Sequence, residues 1–204
     1  MEGDIKGKFI VLEGLDGSGK STQAKRLVER LNLSGIKAVS LREPTDGQWG
    51  RKIREIAAKG REGITPEEEL SYFVNDRRED VEYNVIPALN DGMVVVMDRY
   101  IYSNMAYQGA LGIDVDHIAE INREFPMPDL VIFLDFKPGE GLGRVEMRGA
   151  ANAGFEKREF LEKVYETYQL PQFEIMSRIS AKGSVEEVGE RIWGVVAPHL
   201  EGLQ

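Results

Sequence analysis

Apolar side chains recur along the chain in two rhythms. Four short runs are nearly continuous: KFIVLE at 8–13, KAVSL at 37–41, GMVVVMD at 92–98 and DLVIFLD at 129–135. Runs of this length, rich in β-branched residues, predict strands. The last two do not alternate with polar residues, which suits central strands of a parallel sheet covered on both faces. Elsewhere apolar positions return every three or four residues. The segment from Ser21 to Leu31 carries a stripe of Ala24, Leu27, Val28 and Leu31. Helix-like spacing also marks 50–58, 66–86, 116–125, 155–168 and 184–200, where Val185, Val188, Ile192, Val195 and Val196 share one face. Strands alternating with helices predict an α/β fold in three layers, a mostly parallel central sheet with helices on both faces. Ligands of such folds sit over the carboxyl ends of the strands.

Composition narrows the possibilities. A chain of 204 residues, 42% hydrophobic, supports one well-buried core, so residues 1–204 are expected to form a single domain. The formal net charge of −9 argues against a broad nucleic-acid or anionic-membrane surface, so a phosphate ligand must be met by locally placed cations. With no cysteine there are no disulfides, thiolate metal sites or Cys nucleophiles, which fits a cytoplasmic location. No apolar run approaches the length of a membrane span, and MEGDIKGK lacks the apolar core of a signal peptide.

The residues that follow the first run carry the chemistry. Gly14, Leu15, Asp16, Gly17, Ser18, Gly19, Lys20, Ser21 and Thr22 fit G-x-x-x-x-G-K-[ST] between a strand and a helix, the arrangement that wraps a polyphosphate such as that of ATP. Backbone N–H groups of residues 15 to 21 point at the phosphates in such a loop, and the helix N-terminus adds partial positive charge. Lys20 reaches the β- and γ-phosphates and the Ser21 hydroxyl can ligate Mg²⁺. Asp98, at the end of a buried run, is placed to hold a water of the Mg²⁺ shell; capping the next turn is its competing use. A guanine-reading switch would need an Asn-Lys-x-Asp pattern, which the chain does not contain. A motor usually ends a strand in paired acids, and here both later strands end in a single aspartate. A kinase needs a second anion site instead, to hold the acceptor against the γ-phosphate. Arginines for one occur in LREPTDG, GRKIRE, FVNDRRED and MDRYIYSNMAYQGA.

EGLDGSGKSTQ, REPTDG, FVNDRRED and DRYIYSNMAYQGA, in this order and spacing, resemble the thymidylate kinase family. LVIFLDFKPGEGLGR and FEKREFLEKVYETY are similar to its later segments. The resemblance implies the P-loop NTPase fold and transfer of the γ-phosphoryl of ATP to dTMP, giving dTDP, with Mg²⁺ and usually as a homodimer. It also implies roles. Arg99 bridges the acceptor phosphate and the γ-phosphate, and Arg54 clamps the monophosphate, tasks that suit a planar guanidinium fork. Phe73 and Arg77, four residues apart on one helix face, stack on and hydrogen-bond thymine. Asn104 and Gln108 add amide contacts to the base, and Tyr107 presses on the sugar where a 2′-OH would fit. Asp16 accepts the 3′-OH and Pro44 lines the same pocket. No general base is required, because a phosphate monoester is largely ionised at neutral pH.

Some positions depart from the family. Gly17 stands where some members carry an arginine inside the phosphate loop, so a transition-state arginine is expected from a mobile lid around 144–158. Arg148 is the candidate there, assisted by Arg144 or Arg158, with 149–154 as the flexible part. Ser180 stands where the adenine-contacting loop often has an aspartate, and the base contacts to ATP stay unassigned. His117 and His199 are expected at the surface. Two alternatives remain open at this stage: a kinase for another nucleoside monophosphate or small acceptor, and a non-catalytic nucleotide-binding module.

Overall fold

A computed structural model describes residues 7–61, 63–138 and 154–200. Strands β1 (Lys8–Glu13), β2 (Ala38–Arg42), β3 (Val94–Asp98), β4 (Leu130–Asp135) and β5 (Ser177–Ser180) form one parallel sheet in the order β2-β3-β1-β4-β5. In its middle, Ile10 of β1 lies opposite Val96 on one side and Leu130 on the other. The helices are α1 (Lys20–Leu33), α2 (Gln48–Ala58), α3 (Pro66–Asp80), α4 (Ile86–Asn90), α5 (Ile101–Ala110), α6 (Val115–Ile121), α7 (Gly154–Thr167) and α8 (Val185–Val196).

Strand alternation sends side chains to two cores, one on each face. Phe9, Val11, Val95, Met97, Val131 and Phe133 pack with Tyr100, Tyr168 and Phe173. Ile10, Leu12, Val96, Ile132 and Leu134 pack with Ala24, Leu27 and Leu31 of α1 and Val188, Ile192 and Val196 of α8. Both faces are covered, which is why β3 and β4 read as unbroken apolar runs. Each such side chain contributes roughly 1.5–3 kcal/mol when fully buried. Capping fixes two helix starts. Thr65 accepts from Glu68 N while Glu68 reaches back to Thr65 N, and Ser184 and Glu187 do the same at α8.

The helix expected over 66–86 is interrupted. After α3 comes one π turn at Val81–Val85, in which Ile86 N donates to Val81 O, and then α4. Pro87 has no N–H and its ring would meet the carbonyl of residue 83 in an unbroken α-helix, so the wider turn accommodates it. The helix expected over 116–125 ends at Ile121, and that over 184–200 becomes a 3₁₀ turn at Ala197–Leu200, where Pro198 intervenes. Strand β5 was not anticipated. Only Ile179 in it is buried, so it lacks the apolar run that marks the other strands. Of the expected loop, residues 154–158 lie in α7, and 144–153 fall outside the described residues. No described helix is long and apolar enough to cross a membrane.

Candidate active site

The phosphate loop joins β1 to α1. Gly14 has φ 143°, and a Cβ there would lie 2.8 Å from Ser18 Oγ and 2.9 Å from Leu134 O, so only glycine fits. Helix α1 starts at Lys20 without a side-chain cap, leaving first-turn N–H groups for an anion. Lys20 is buried, and its ammonium donates to Leu15 O at 2.8 Å. Burial lowers its pKa to about 8, with Arg99 pushing the same way and Asp98, Asp16 and Glu13 opposing. Ser21 Oγ donates to Asp98 Oδ2, and the other Asp98 oxygen is buried with no hydrogen-bond partner among the described residues. The two expected Mg²⁺-binding residues are therefore brought together.

Beside this loop opens a cleft of about 880 Å³. One wall is the phosphate loop through Thr22, another holds Arg42, Glu43, Pro44 and Arg54, and a third holds Ala181, Gly183, Ser184, Val185 and Val188. Asp98 and Arg99, at the end of β3, lie between the first two walls, as the strand order β2-β3-β1 requires. Arg99 has φ 72°, in the left-handed region that a non-glycine residue seldom occupies. Its guanidinium donates to Asp16 Oδ1 at 2.7 Å, Ser103 Oγ at 3.0 Å and Tyr107 OH at 3.2 Å. Burial pushes the Tyr107 phenol up to about 12, so this hydroxyl stays neutral. Arg54 donates to Pro44 O at 3.1 Å and to Asp46 Oδ1 at 3.0 Å. Pro44 follows a cis peptide bond, and the next residue is fixed by Asp76, whose carboxylate accepts from Thr45 N at 2.7 Å and Thr45 Oγ1 at 2.6 Å.

Arg77 is only 1% exposed. Its guanidinium donates to Asn104, Asn122 and Glu43, and lies 4.8 Å over the Tyr100 ring. Asn104 has both ends of its amide engaged, accepting from Arg77 at 2.7 Å and donating to Gln108 Oε1 at 3.3 Å, so it holds two of the other expected base readers. Arg77 Nε and Gln108 Nε2 are buried donors without a partner among the described residues. Phe73, on the same helix as Arg77, is half-buried and packs into neither core. Burial raises the Glu43 carboxyl, while Arg77 opposes that shift.

The expected lid arginines divide. Arg158 lies in α7, exposed and paired with Glu162 at 3.0 Å, whereas Arg144 and Arg148 fall outside the described residues. His117 and His199 are exposed, as expected. Sequence reasoning missed Glu13, Glu43 and Asn122, which carry no local signature. The wall made by 181–188 begins in the loop marked at Ser180 as the adenine-contacting one, and its continuation to Val185 and Val188 was missed, although the Ser184 capping box was an available signal. Gln23 ties that wall to α1, donating to Val185 O at 2.8 Å.

A parallel sheet, a glycine loop leading into a helix and arginines gathered across from it define a P-loop nucleotide kinase as the class. Comparison with known proteins specifies the family. The family model for thymidylate kinase matches residues 12–192. The chain is 40% identical over 194 residues to the thymidylate kinase of Brachyspira hyodysenteriae, covering 94% of each chain. It is 42% identical over 193 residues to a probable thymidylate kinase of Archaeoglobus fulgidus, covering 94% of this chain and 96% of that one. It is 40% identical over 205 residues to a probable thymidylate kinase of Pyrococcus abyssi, covering 98% and 100%. The chain belongs to the thymidylate kinase family, whose reaction is ATP-dependent phosphorylation of dTMP.

Proposed function

We propose that the cleft carries out transfer of the γ-phosphoryl group of ATP to dTMP, giving dTDP and ADP, with each residue in the following role. The observation that carries this reading is the position of Arg99, between the phosphate loop on one wall and Pro44 and Arg54 on the other. Lys20 holds the β- and γ-phosphates, and Arg99 lies along the path between donor and acceptor phosphates, where it neutralises charge that would otherwise repel. Ser21 and Asp98 suit Mg²⁺, since they offer oxygen ligands and one buried carboxylate oxygen is unpartnered. The ion would supply charge neutralisation on the phosphates. Arg54 holds the acceptor phosphate, Pro44 lines the same pocket, and Asp16 takes the 3′-OH.

On the base side, Arg77 and Gln108 are buried and do not line the cleft, so their orphan donors meet the two carbonyl oxygens of a pyrimidine once the pocket between α3 and α5 opens to admit the base. Phe73 covers the ring, Tyr107 bounds the sugar, and Asn104 sets both readers. The wall at 181–188 receives the adenosine end of ATP. A single domain completes the reading, with Arg148, which lies outside the described residues, supplying the charge over the triphosphate that Gly17 cannot. Cytoplasmic placement agrees with the absence of cysteine, and homodimer assembly with the family resemblance.

An ADP-release assay with ATP and Mg²⁺ across a panel of monophosphates tests this. We expect dTMP to be the best acceptor; equal turnover of dTMP, dCMP and AMP defeats the base assignment. Arg148→Ala is expected to lower kcat roughly a thousandfold with little change in the KM for dTMP, and a triple variant of Arg144, Arg148 and Arg158 within a few-fold of the parent would remove the lid from the mechanism.

A further inference from the structure

We infer that Glu13, the last residue of β1, is the positioning residue that sets Arg99 for phosphoryl transfer, an inference that rests on the reading of Arg99 above. Glu13 is 0% exposed and does not line the cleft. A carboxylate taken out of water is costly unless its oxygens are satisfied. Here Oε1 accepts from Tyr100 N at 2.9 Å and Ser103 N at 3.1 Å, while Oε2 accepts from Ser103 Oγ at 2.6 Å and Tyr168 OH at 3.1 Å. Four donors fill the four lone-pair directions of an ionised carboxylate. Burial pushes the carboxyl up, and Ser103, Arg99 and Tyr100 pull it back.

Three of those four bonds bear on Arg99. Its left-handed backbone is strained for a non-glycine residue and needs restraint on both sides. Arg99 N donates to Leu12 O at 3.1 Å, and the next N–H along the chain donates to Glu13, so the end of β1 holds the strained residue before and after its Cα. Ser103 then passes the restraint to the side chain. Its hydroxyl proton goes to Glu13, leaving an oxygen lone pair for Arg99 Nη1 at 3.0 Å. Glu13 thus fixes both the backbone and one corner of the guanidinium without touching a substrate. Tyr168 adds a tie from the chain just beyond α7.

The test is a cycle of Glu13→Gln, Arg99→Ala and the double variant, with kcat, both KM values and melting temperature measured for each. Glu13→Gln should lower kcat by about 10–100-fold, the scale of a catalytic group displaced by about 1 Å, with the KM for ATP within about twofold. In the Arg99→Ala background the same substitution should change kcat by less than about threefold, because the group it positions is gone. A full, multiplicative loss in that background overturns the inference and makes Glu13 a general structural residue. Arg99→Ala with parental kcat defeats the reading of Arg99 instead, so the two failures are distinct. Ser103→Ala removes only the hydroxyl relay and provides a second reading of the same cycle if Glu13→Gln does not fold. It should lose about 3–10-fold in kcat with Arg99 present and almost nothing without it; equal losses in both backgrounds overturn the inference.

Discussion

Gly50→Ala sets two effects of opposite sign against each other. Gly50 is the third residue of α2, and alanine in a helix interior is favoured over glycine by about 1 kcal/mol. Propensity alone would raise the melting temperature. Packing says otherwise. A Cβ at this position would lie 1.9 Å from Thr45 O and 2.8 Å from Thr45 C, where a carbon and a carbonyl oxygen tolerate roughly 3.3 Å. The obstacle is backbone, and the backbone is tethered, since Thr45 donates twice to the buried Asp76. Relieving the clash means moving the Pro44–Thr45 carbonyls by more than about 1 Å, at an overpacking cost of about 1–3 kcal/mol and with weakening of bonds worth roughly 1.5–3 kcal/mol each. The net expectation is a loss of about 2–4 kcal/mol after the propensity gain. For a chain of this size that is a fall of about 5–15 °C in melting temperature.

The function should follow the same displacement. The loop that shifts carries Pro44, whose carbonyl accepts from Arg54, and Asp46, which pairs with it. The KM for dTMP should rise about 10–100-fold, while the KM for ATP stays close to the parent value because the phosphate loop is untouched. Thermal melts with and without dTMP, together with initial rates, provide the measurement. A variant that melts a few degrees higher and keeps its dTMP KM would show that the loop yields freely, and the packing reasoning would be wrong.

Three further outcomes are expected. Tyr107→Ala should open room for a 2′-OH and narrow the preference for dTMP over its ribonucleotide counterpart, whereas Tyr107→Phe should keep it; an unchanged ratio of kcat/KM in Tyr107→Ala would make the ring packing only. Arg77→Lys keeps the charge beside Glu43 but loses the fork that also reaches Asn104 and Asn122, so we expect a loss of about 2–3 kcal/mol and a raised KM for dTMP; parental values in both would count against the network. Asp80 has its pKa raised from 3.8 to about 6, by burial first and by Asp76, so its ionised form destabilises the fold above pH 6 and this penalty relaxes as pH falls toward 3.8. Asp80→Asn should therefore stabilise by about 1–3 kcal/mol at pH 8 and by progressively less below pH 6, and denaturant melts showing a gain independent of pH would refute the assignment.

Local spacing was enough to expose four of the five strands, most of the helices and the phosphate loop. A buried strand needs unbroken apolar residues, a covered helix needs them every three or four, and a polyphosphate loop needs its glycines, Lys20 and Ser21 within a few positions of one another. Those demands are met by neighbours in the chain, so they leave a mark in it. Strand β5 left almost none, because an edge strand of four residues buries a single side chain. The site beyond the loop is assembled from groups that the sheet and helices bring together. Ser21 meets Asp98 across 77 positions, Arg77 meets Glu43 across 34 and Asn122 across 45, and Tyr168 reaches Glu13 across 155. A hydrogen bond between such partners imposes no periodicity on the residues between them. Resemblance to a family could suggest what Arg99 and Arg77 do. What holds them, a buried carboxylate behind each, is decided only when parallel pairing sets the end of β1 against the Arg99 turn and β2 delivers Glu43 beneath α3.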